Sequence, residues 1–200
     1  MMTAKKESYE GLDKSFIDYG YLTDDRMIEH YAMPMIKKMI GKDKRILDVG
    51  MRSGFWLHYY CNGTGNKGVG IDLMGDTGGL REDTNIKFFK KPVDATFKIP
   101  FEDNSFDVVT CTAVLEHLWV PGDRYAVENM IRVAKEKVIL MTPIYTDHPD
   151  DPTRGRDIDE HINMFDCKRF KRFLKSFGYK YRHYDIMQGY RSHIGVIYLE

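Results

Sequence analysis

Ile46-Leu47-Asp48-Val49-Gly50-Met51-Arg52-Ser53-Gly54 decides the fold. Its first four residues make a short, largely apolar run that stops at a glycine, the pattern of a strand buried on both faces. Residues 55–60 are predicted to form a helix, so the stretch reads strand, glycine turn, helix. Working outward, further strands are predicted at residues 69–73, 86–89, 106–111 and 138–141, the last closed by Pro143. A helix is predicted between Thr23-Asp24-Asp25, which supplies capping chemistry, and Gly41. Its stripe is Met27, Ile28, Tyr31, Met35, Ile36 and Met39, with a possible kink at Pro34. A second helix spans residues 123–134, with Tyr125, Val127, Met130, Ile131 and Ala134 on its apolar side. A third starts at Asp166, buries Phe170, Phe173, Leu174 and Phe177, and stops at Gly178. Helix-length connections separate the first five strands, so these are expected to be parallel and covered on both faces. Residues 179–187 and 193–199 are expected to close the sheet as an antiparallel hairpin.

The chain has 200 residues, 42% of them hydrophobic and 13% aromatic, which suits one domain with a full core. Lys plus Arg total 30 and Asp plus Glu total 30. That balance argues against a protein held to nucleic acid by bulk positive charge. Three cysteines, Cys61, Cys111 and Cys167, form no CxxC pair, so neither a disulfide framework nor a cysteine zinc site is expected. No apolar run approaches the roughly 20 residues that span a bilayer, and residues 1–10 lack the core of a signal peptide. A cytoplasmic protein is the expectation, with no membrane partner.

The glycine turn lets the backbone approach a ligand closely. A dinucleotide loop needs GxGxxG, and aligned from Gly50 the chain offers Gly50, Arg52 and Phe55. A P-loop is absent, and Asp48 would repel a phosphate while attracting an ammonium group. Asp72, at the end of the second strand, suits the two hydroxyls of a ribose. Asp94, after the third, suits an adenine amino group, with Ala95 completing that edge. Three carboxylates following three successive strands imply a ligand with a cationic end, a ribose and an adenine but no phosphate. S-adenosylmethionine fits that description.

The chain resembles a class I S-adenosylmethionine-dependent methyltransferase of the methyltransferase domain 11/23 type. Residues 46–54 resemble the family's first motif and Gly70-Ile71-Asp72 its acidic second motif. Residues 100–109 through Leu115-Glu116-His117-Leu118 match its most specific stretch. Residues 128–135, 159–165 and 173–179 resemble later segments. The resemblance implies a Rossmann-like, seven-stranded, mostly parallel α/β sheet with helices on both faces and a C-terminal antiparallel hairpin. It implies a single domain: an N-terminal lid and helix (1–41), a cofactor-binding half (42–142), a substrate loop (143–164) and a C-terminal helix and hairpin (165–200). Asp48, Gly50 and Gly54 would cradle the methionine part. Asp72 with Leu73 would hold the ribose, Asp94 with Ala95 the adenine, and Cys111, Thr112 and Ala113 would line the sulfonium. Arg52 stands where the family has its middle glycine, and is expected to face solvent or the methionine carboxylate.

Methyl transfer needs an aligned acceptor and, for a protonated acceptor, a base. His117 and His161 are the candidates. The structural alternatives are a loop-positioning role for His117 and a packing role before Phe165 for His161. Glu116-His117 is similar to part of an E-x-x-E-H metal motif in some relatives, but Ala113 stands at the first Glu, so no metal is expected. The segment after strand four lacks the Asn/Asp-Pro-Pro-aromatic signature of nucleobase amino-methyltransferases, so DNA is not an expected substrate and RNA is disfavoured. The charged residues 143–164 suggest a small polar acceptor, such as a sugar or glycan intermediate, methylated on O or N by a monomer or homodimer. The alternative is a non-catalytic S-adenosylmethionine-binding partner or regulatory domain.

Overall fold

The computed structural model describes residues 32–75, 84–145, 161–187 and 191–200. The chain order is α1 (Ala32–Ile40), β1 (Arg45–Val49), α2 (Phe55–Cys61), β2 (Lys67–Ile71), β3 (Ile86–Phe88) and β4 (Phe106–Thr112). A 3-10 turn (Leu115–His117), α3 (Gly122–Val133), β5 (Ala134–Pro143), α4 (Cys167–Lys175), β6 (Lys180–Ile186) and β7 (Ser192–Tyr198) follow. The strands form one seven-stranded sheet in the order β3-β2-β1-β4-β5-β7-β6. Strands β1 to β5 pair in parallel, and β7 runs antiparallel to both β5 and β6. The expected mostly parallel sheet with a terminal hairpin is therefore the fold.

Alternation along each strand sends side chains to two separate cores. Leu47, Val49, Val109, Cys111, Val138 and Leu140 face α3 and α4, where Val127, Met130, Phe170 and Leu174 meet them. Ile46, Val108, Ile139 and Met141 face α1 and α2, against Met33, Ile36, Leu57 and Tyr60. Each such fully buried side chain contributes roughly 1.5–3 kcal/mol relative to an exposed one.

Two expectations for α3 are corrected. Its last residue is Val133, and Ala134 takes an extended backbone (φ −84°, ψ 145°) as the first residue of β5. Strand β5 is thus longer than the apolar run at 138–141. The sequence hides this because Lys135, Glu136 and Lys137 extend the strand past the core. There Glu136 pairs with Lys44 at 2.6 Å, and the Lys137 ammonium donates to the Met39 carbonyl. Tyr125 is 45% exposed and packs edge to face on Trp119 instead of entering the core.

The first 31 residues of the N-terminal lid and helix, most of the charged segment 143–164 and residues 188–190 of the hairpin turn lie outside the described residues. Among the described residues, no helix is long and apolar enough to cross a membrane.

Candidate active site

The chain moves outward from β1 to β2 to β3, then returns to place β4 on the other side of β1. Such a reversal opens a crevice at the carboxyl ends of the two strands, where open α/β sheets bind ligands. Gly50 follows β1 and Ala113 follows β4, so these two turns face each other across the crevice. The approach is close. A Cβ on Gly50, whose φ is +77°, would lie 2.2 Å from Val114 Cγ2. The amides of Gly50 and Met51 both donate to the Ile71 carbonyl, at 2.9 and 3.0 Å, and hold the turn against β2.

Arg52 has φ +45°, and Ala113 has φ +53°. Both therefore adopt a left-handed conformation that favours glycine. Arg52 thus keeps the backbone shape of the glycine it replaces. Its amide donates to Asp72 Oδ2 at 2.8 Å, and its side chain is exposed. Gly54 (φ +72°) closes the loop by donating to the Met51 carbonyl at 2.7 Å and leads into α2.

Asp48 lies within β1, 2% exposed, and accepts a hydrogen bond from the Thr110 hydroxyl at 2.7 Å. Burial pushes its carboxyl up to about 7, and the negative charge of Asp72 adds to that, while the Thr110 bond opposes it. Asp72 is half-buried at the end of β2. Its oxygens accept from the amides of Arg52 and Met74, at 2.8 and 2.9 Å. Exposed Leu73 and Met74 follow it. Asp94 lies beyond β3, where its Oδ1 accepts from the amide and hydroxyl of Thr96 at 2.8 and 2.7 Å. The Val93 amide bonds to the Asp72 carbonyl at 2.9 Å, and the Asn129 amide group donates to the Ala95 carbonyl at 3.0 Å. These bonds tie the Asp94 loop to the Asp72 turn and to α3. Cys111 is fully buried and its thiol belongs to the core. Thr112 is nearly buried, and Ala113 is the exposed member of that segment.

A second group stands on the same edge. The turn after β4 carries Glu116 and His117, and the segment before α4 carries His161. The His117 and His161 rings meet edge to face with centroids 4.8 Å apart. One ligand atom from each of Glu116, His117 and His161 lies within 4.8 Å of the others. Asn163, 1% exposed, makes this meeting possible. Its amide bonds to the Glu116 carbonyl at 3.0 Å. Its side-chain NH2 donates to the Leu115 carbonyl and to Asp123 Oδ2, at 3.2 and 2.8 Å. Arg169 donates in turn to the Asn163 side-chain oxygen and the Met164 carbonyl.

Glu116 is 2% exposed, and burial pushes its carboxyl up to about 7. Its Oε2 accepts from Thr142 at 3.3 Å, while Oε1 is buried without a hydrogen-bond partner among the described residues. A buried, unpartnered carboxylate oxygen is costly and marks a place for a donor or cation. The sequence places Glu116 only within a truncated metal motif, and nothing in it shows that the carboxylate is orphaned. Glu116, His117 and His161 offer three ligand atoms for a divalent cation, and Ala113 adds no fourth.

The residues present suit S-adenosylmethionine chemistry. Each Asp72 oxygen keeps a second lone pair for a ribose hydroxyl after its main-chain bond. Asp48 has no cationic partner among the described residues, so an ammonium group would relieve its burial cost.

A methyltransferase domain family model matches residues 25–184. A search of curated proteins finds no match. Among solved structures, the chain is similar to a SAM-dependent methyltransferase from Aquifex aeolicus, with a TM-score of 0.65 and 20% identity over 94% of this chain and 99% of that one. It is similar to the YcgJ protein from Bacillus subtilis, with a TM-score of 0.58 and 20% identity over 78% and 73%. A third likeness is the 1,6-didemethyltoxoflavin-N1-methyltransferase from Burkholderia thailandensis, solved with 1,6-didemethyltoxoflavin and S-adenosylhomocysteine. Its TM-score is 0.65, with 12% identity over 99% and 91%. Domain match and fold agree with the crevice chemistry: the chain belongs to the methyltransferase domain family and is a class I S-adenosylmethionine-dependent methyltransferase.

Proposed function

We propose that the protein methylates an oxygen or nitrogen of a small polar acceptor, held over the Glu116–His117–His161 group. The buried Glu116 carboxylate beside two histidines, its Oε1 without a hydrogen-bond partner among the described residues, carries the reading. An apolar acceptor gives such a group nothing to bind, whereas a hydroxyl or amine supplies the missing donor. The Burkholderia thailandensis N1-methyltransferase, solved with 1,6-didemethyltoxoflavin bound, supports a small acceptor by likeness of fold.

S-adenosylmethionine supplies an activated methyl group on a sulfonium. The chain's own residues bind, orient and accept a proton. Asp72 takes the ribose hydroxyls between Leu73 and the Arg52 amide. Asp94 and Ala95 take the adenine edge. Asp48, Gly50 and Gly54 shape the methionine end, with exposed Arg52 within reach of a carboxylate. Backbone and side-chain atoms of Thr112 and Ala113 border the sulfur, and Cys111 contributes through its main chain because its thiol is in the core. His161, half-buried, or His117, exposed, accepts the acceptor's proton, and Glu116 orients the donor. Such a base typically contributes about 10²–10⁴-fold.

Calorimetry with S-adenosylmethionine and NADH, followed by S-adenosylhomocysteine release across a library of sugars, amines and phenols, tests this reading. Binding of S-adenosylmethionine with product release on a hydroxylated or amino acceptor is expected. Release only with apolar or nucleic-acid acceptors would overturn the acceptor class. Cofactor binding with no turnover on any acceptor would favour a partner or regulatory role.

A further inference from the structure

We propose that Cys167, Asp185 and His193, with His183 beside them, form a structural binding site for a zinc-class divalent metal ion, separate from the active-site crevice and independent of the acceptor assignment. The fold assembles these donors from three elements. His183 and Asp185 are two apart on β6 and so share one face of the sheet. In the β6–β7 register Asp185 stands opposite His193, and His183 stands opposite Gly195. A Cβ at Gly195 would lie 2.7 Å from Leu174 Cδ2 and 3.1 Å from Phe170 Cε1. Its absence lets α4 close onto this face. Asp166 caps α4 by accepting from the Arg169 amide, which sets Cys167, the first helical residue, beside the two strands.

The donor atoms converge. His183 Nε2 lies 3.2 Å from His193 Nδ1 and 2.9 Å from Asp185 Oδ1. His193 Nδ1 lies 2.7 Å from the same oxygen. One atom each from Cys167, Asp185 and His193 lies within 4.8 Å of the others. Ligand atoms around a tetrahedral zinc-class ion, with bonds of about 2.0–2.3 Å, stand roughly 3.3–3.7 Å apart. The imidazole and carboxylate atoms stand closer than that and would part to admit the ion.

His193 Nε2 faces the Phe165 carbonyl at 3.2 Å. An imidazole fixed by a bond from its second nitrogen to a carbonyl is the usual outer support of a metal ligand. Thiolate, imidazole and carboxylate form a zinc-class donor set.

The surroundings suit a structural site. His193 is 0% exposed, and the Phe170 ring stacks on it at 5.1 Å and 18°. Cys167 and Asp185 are more open, giving the ion an entry path. Binding would exchange the Cys167 thiol proton for a sulfur–metal bond, with the proton released to solvent. The expectation of no cysteine zinc site rests on the lack of a CxxC pair, whereas here one thiol joins two donors of other types.

Tag-free protein, stripped with a chelator and titrated with Co²⁺, tests the site. The expected result is a stoichiometric complex with tetrahedral d–d bands and a thiolate-to-cobalt charge-transfer band, displaced by Zn²⁺. Cys167→Ser should abolish the charge-transfer band, and Asp185→Asn should weaken binding at least tenfold. A double His117→Ala/His161→Ala variant should leave the spectrum unchanged. A wild-type spectrum without the thiolate band, or a band that survives Cys167→Ser, overturns the proposal. So does a band lost only in the double histidine variant. If Cys167→Ser does not fold, wild-type alkylation decides. Zn²⁺ should protect Cys167 from iodoacetamide, and equal labelling with and without Zn²⁺ overturns the site.

Discussion

The His117 and His161 rings meet edge to face, 4.8 Å between centroids, although they arrive from different sides of β5 in the chain. They sit beside the buried Glu116 carboxylate, whose Oε1 lacks a partner among the described residues. A half-buried imidazole on the crevice edge has the access a proton acceptor needs. His161→Ala is expected to lower turnover by about 10²–10⁴-fold while leaving S-adenosylmethionine affinity nearly unchanged. Paired calorimetry and single-turnover measurements check this, and unchanged turnover would remove His161 as the base.

Asp72 accepts from the Arg52 and Met74 amides, which fix its carboxylate before any ligand arrives. Its remaining lone pairs are the proposed ribose contacts. Asp72→Ala should weaken S-adenosylmethionine binding by about 1–3 kcal/mol, the range for bonds to a charged group. Wild-type affinity in this variant would exclude the ribose role.

Asp48 gives a pH signature with a definite sign. Burial raises its carboxyl to about 7 in the folded chain, well above the unfolded value near 4. The folded state therefore holds more protons between about pH 4 and 7, and stability falls as pH rises across that window, then levels off. Asp48→Asn keeps an acceptor for Thr110 and removes the charge. It should be more stable than wild type at pH 8 by about 1–3 kcal/mol, with a much smaller difference at pH 5. Urea melts at the two pH values read this. An ammonium ligand favours the ionised carboxyl, so wild-type S-adenosylmethionine affinity should rise through about pH 7 and stay flat in the variant. The opposite slope would place the cation elsewhere.

Gly50 is constrained twice, by φ +77° and by Val114 Cγ2 at 2.2 Å from a would-be Cβ. Gly50→Ala should lower stability by about 2 kcal/mol or more and weaken cofactor binding. Arg52→Gly is the matched control. It relaxes a left-handed residue without a new contact and should cost little stability. Thermal melts and calorimetry compare the pair, and a benign Gly50→Ala would mean the two turns separate easily.

The strands and the order of carboxylates were legible because burial on two faces leaves continuous apolar runs, and each run ended at a chemistry-bearing turn. The start of β5 was not, since Lys135 to Lys137 look like a solvated helix end, and Glu136 and Lys137 meet Lys44 and Met39 only once the chain has folded. Arg52 looked like a broken glycine motif, yet its left-handed backbone preserves the turn, a property no residue pattern reports. The Glu116–His117–His161 group joins elements far apart in the chain, and the Cys167–Asp185–His193 cluster joins one helix and two strands. Sequence spacing carries no signal for either beyond the partial motif at Glu116-His117.

Asn163 connects the fold to the chemistry. It spends its amide on the Glu116 carbonyl and its side-chain NH2 on the Leu115 carbonyl and Asp123, all within a site 1% exposed. Two residues earlier lies His161, so these bonds set where that ring stands. Asn163→Ala leaves the Asp123 carboxylate without this donor and should cost about 1–3 kcal/mol of stability. The stronger consequence is positional. Turnover should fall in the variant well beyond any change in S-adenosylmethionine affinity, and Asn163→Asp, which keeps the size but loses the donor, should fall with it. Parallel measurement of unfolding, cofactor affinity and turnover separates the two effects. Full activity in a destabilised Asn163→Ala would show that His161 is held by other contacts.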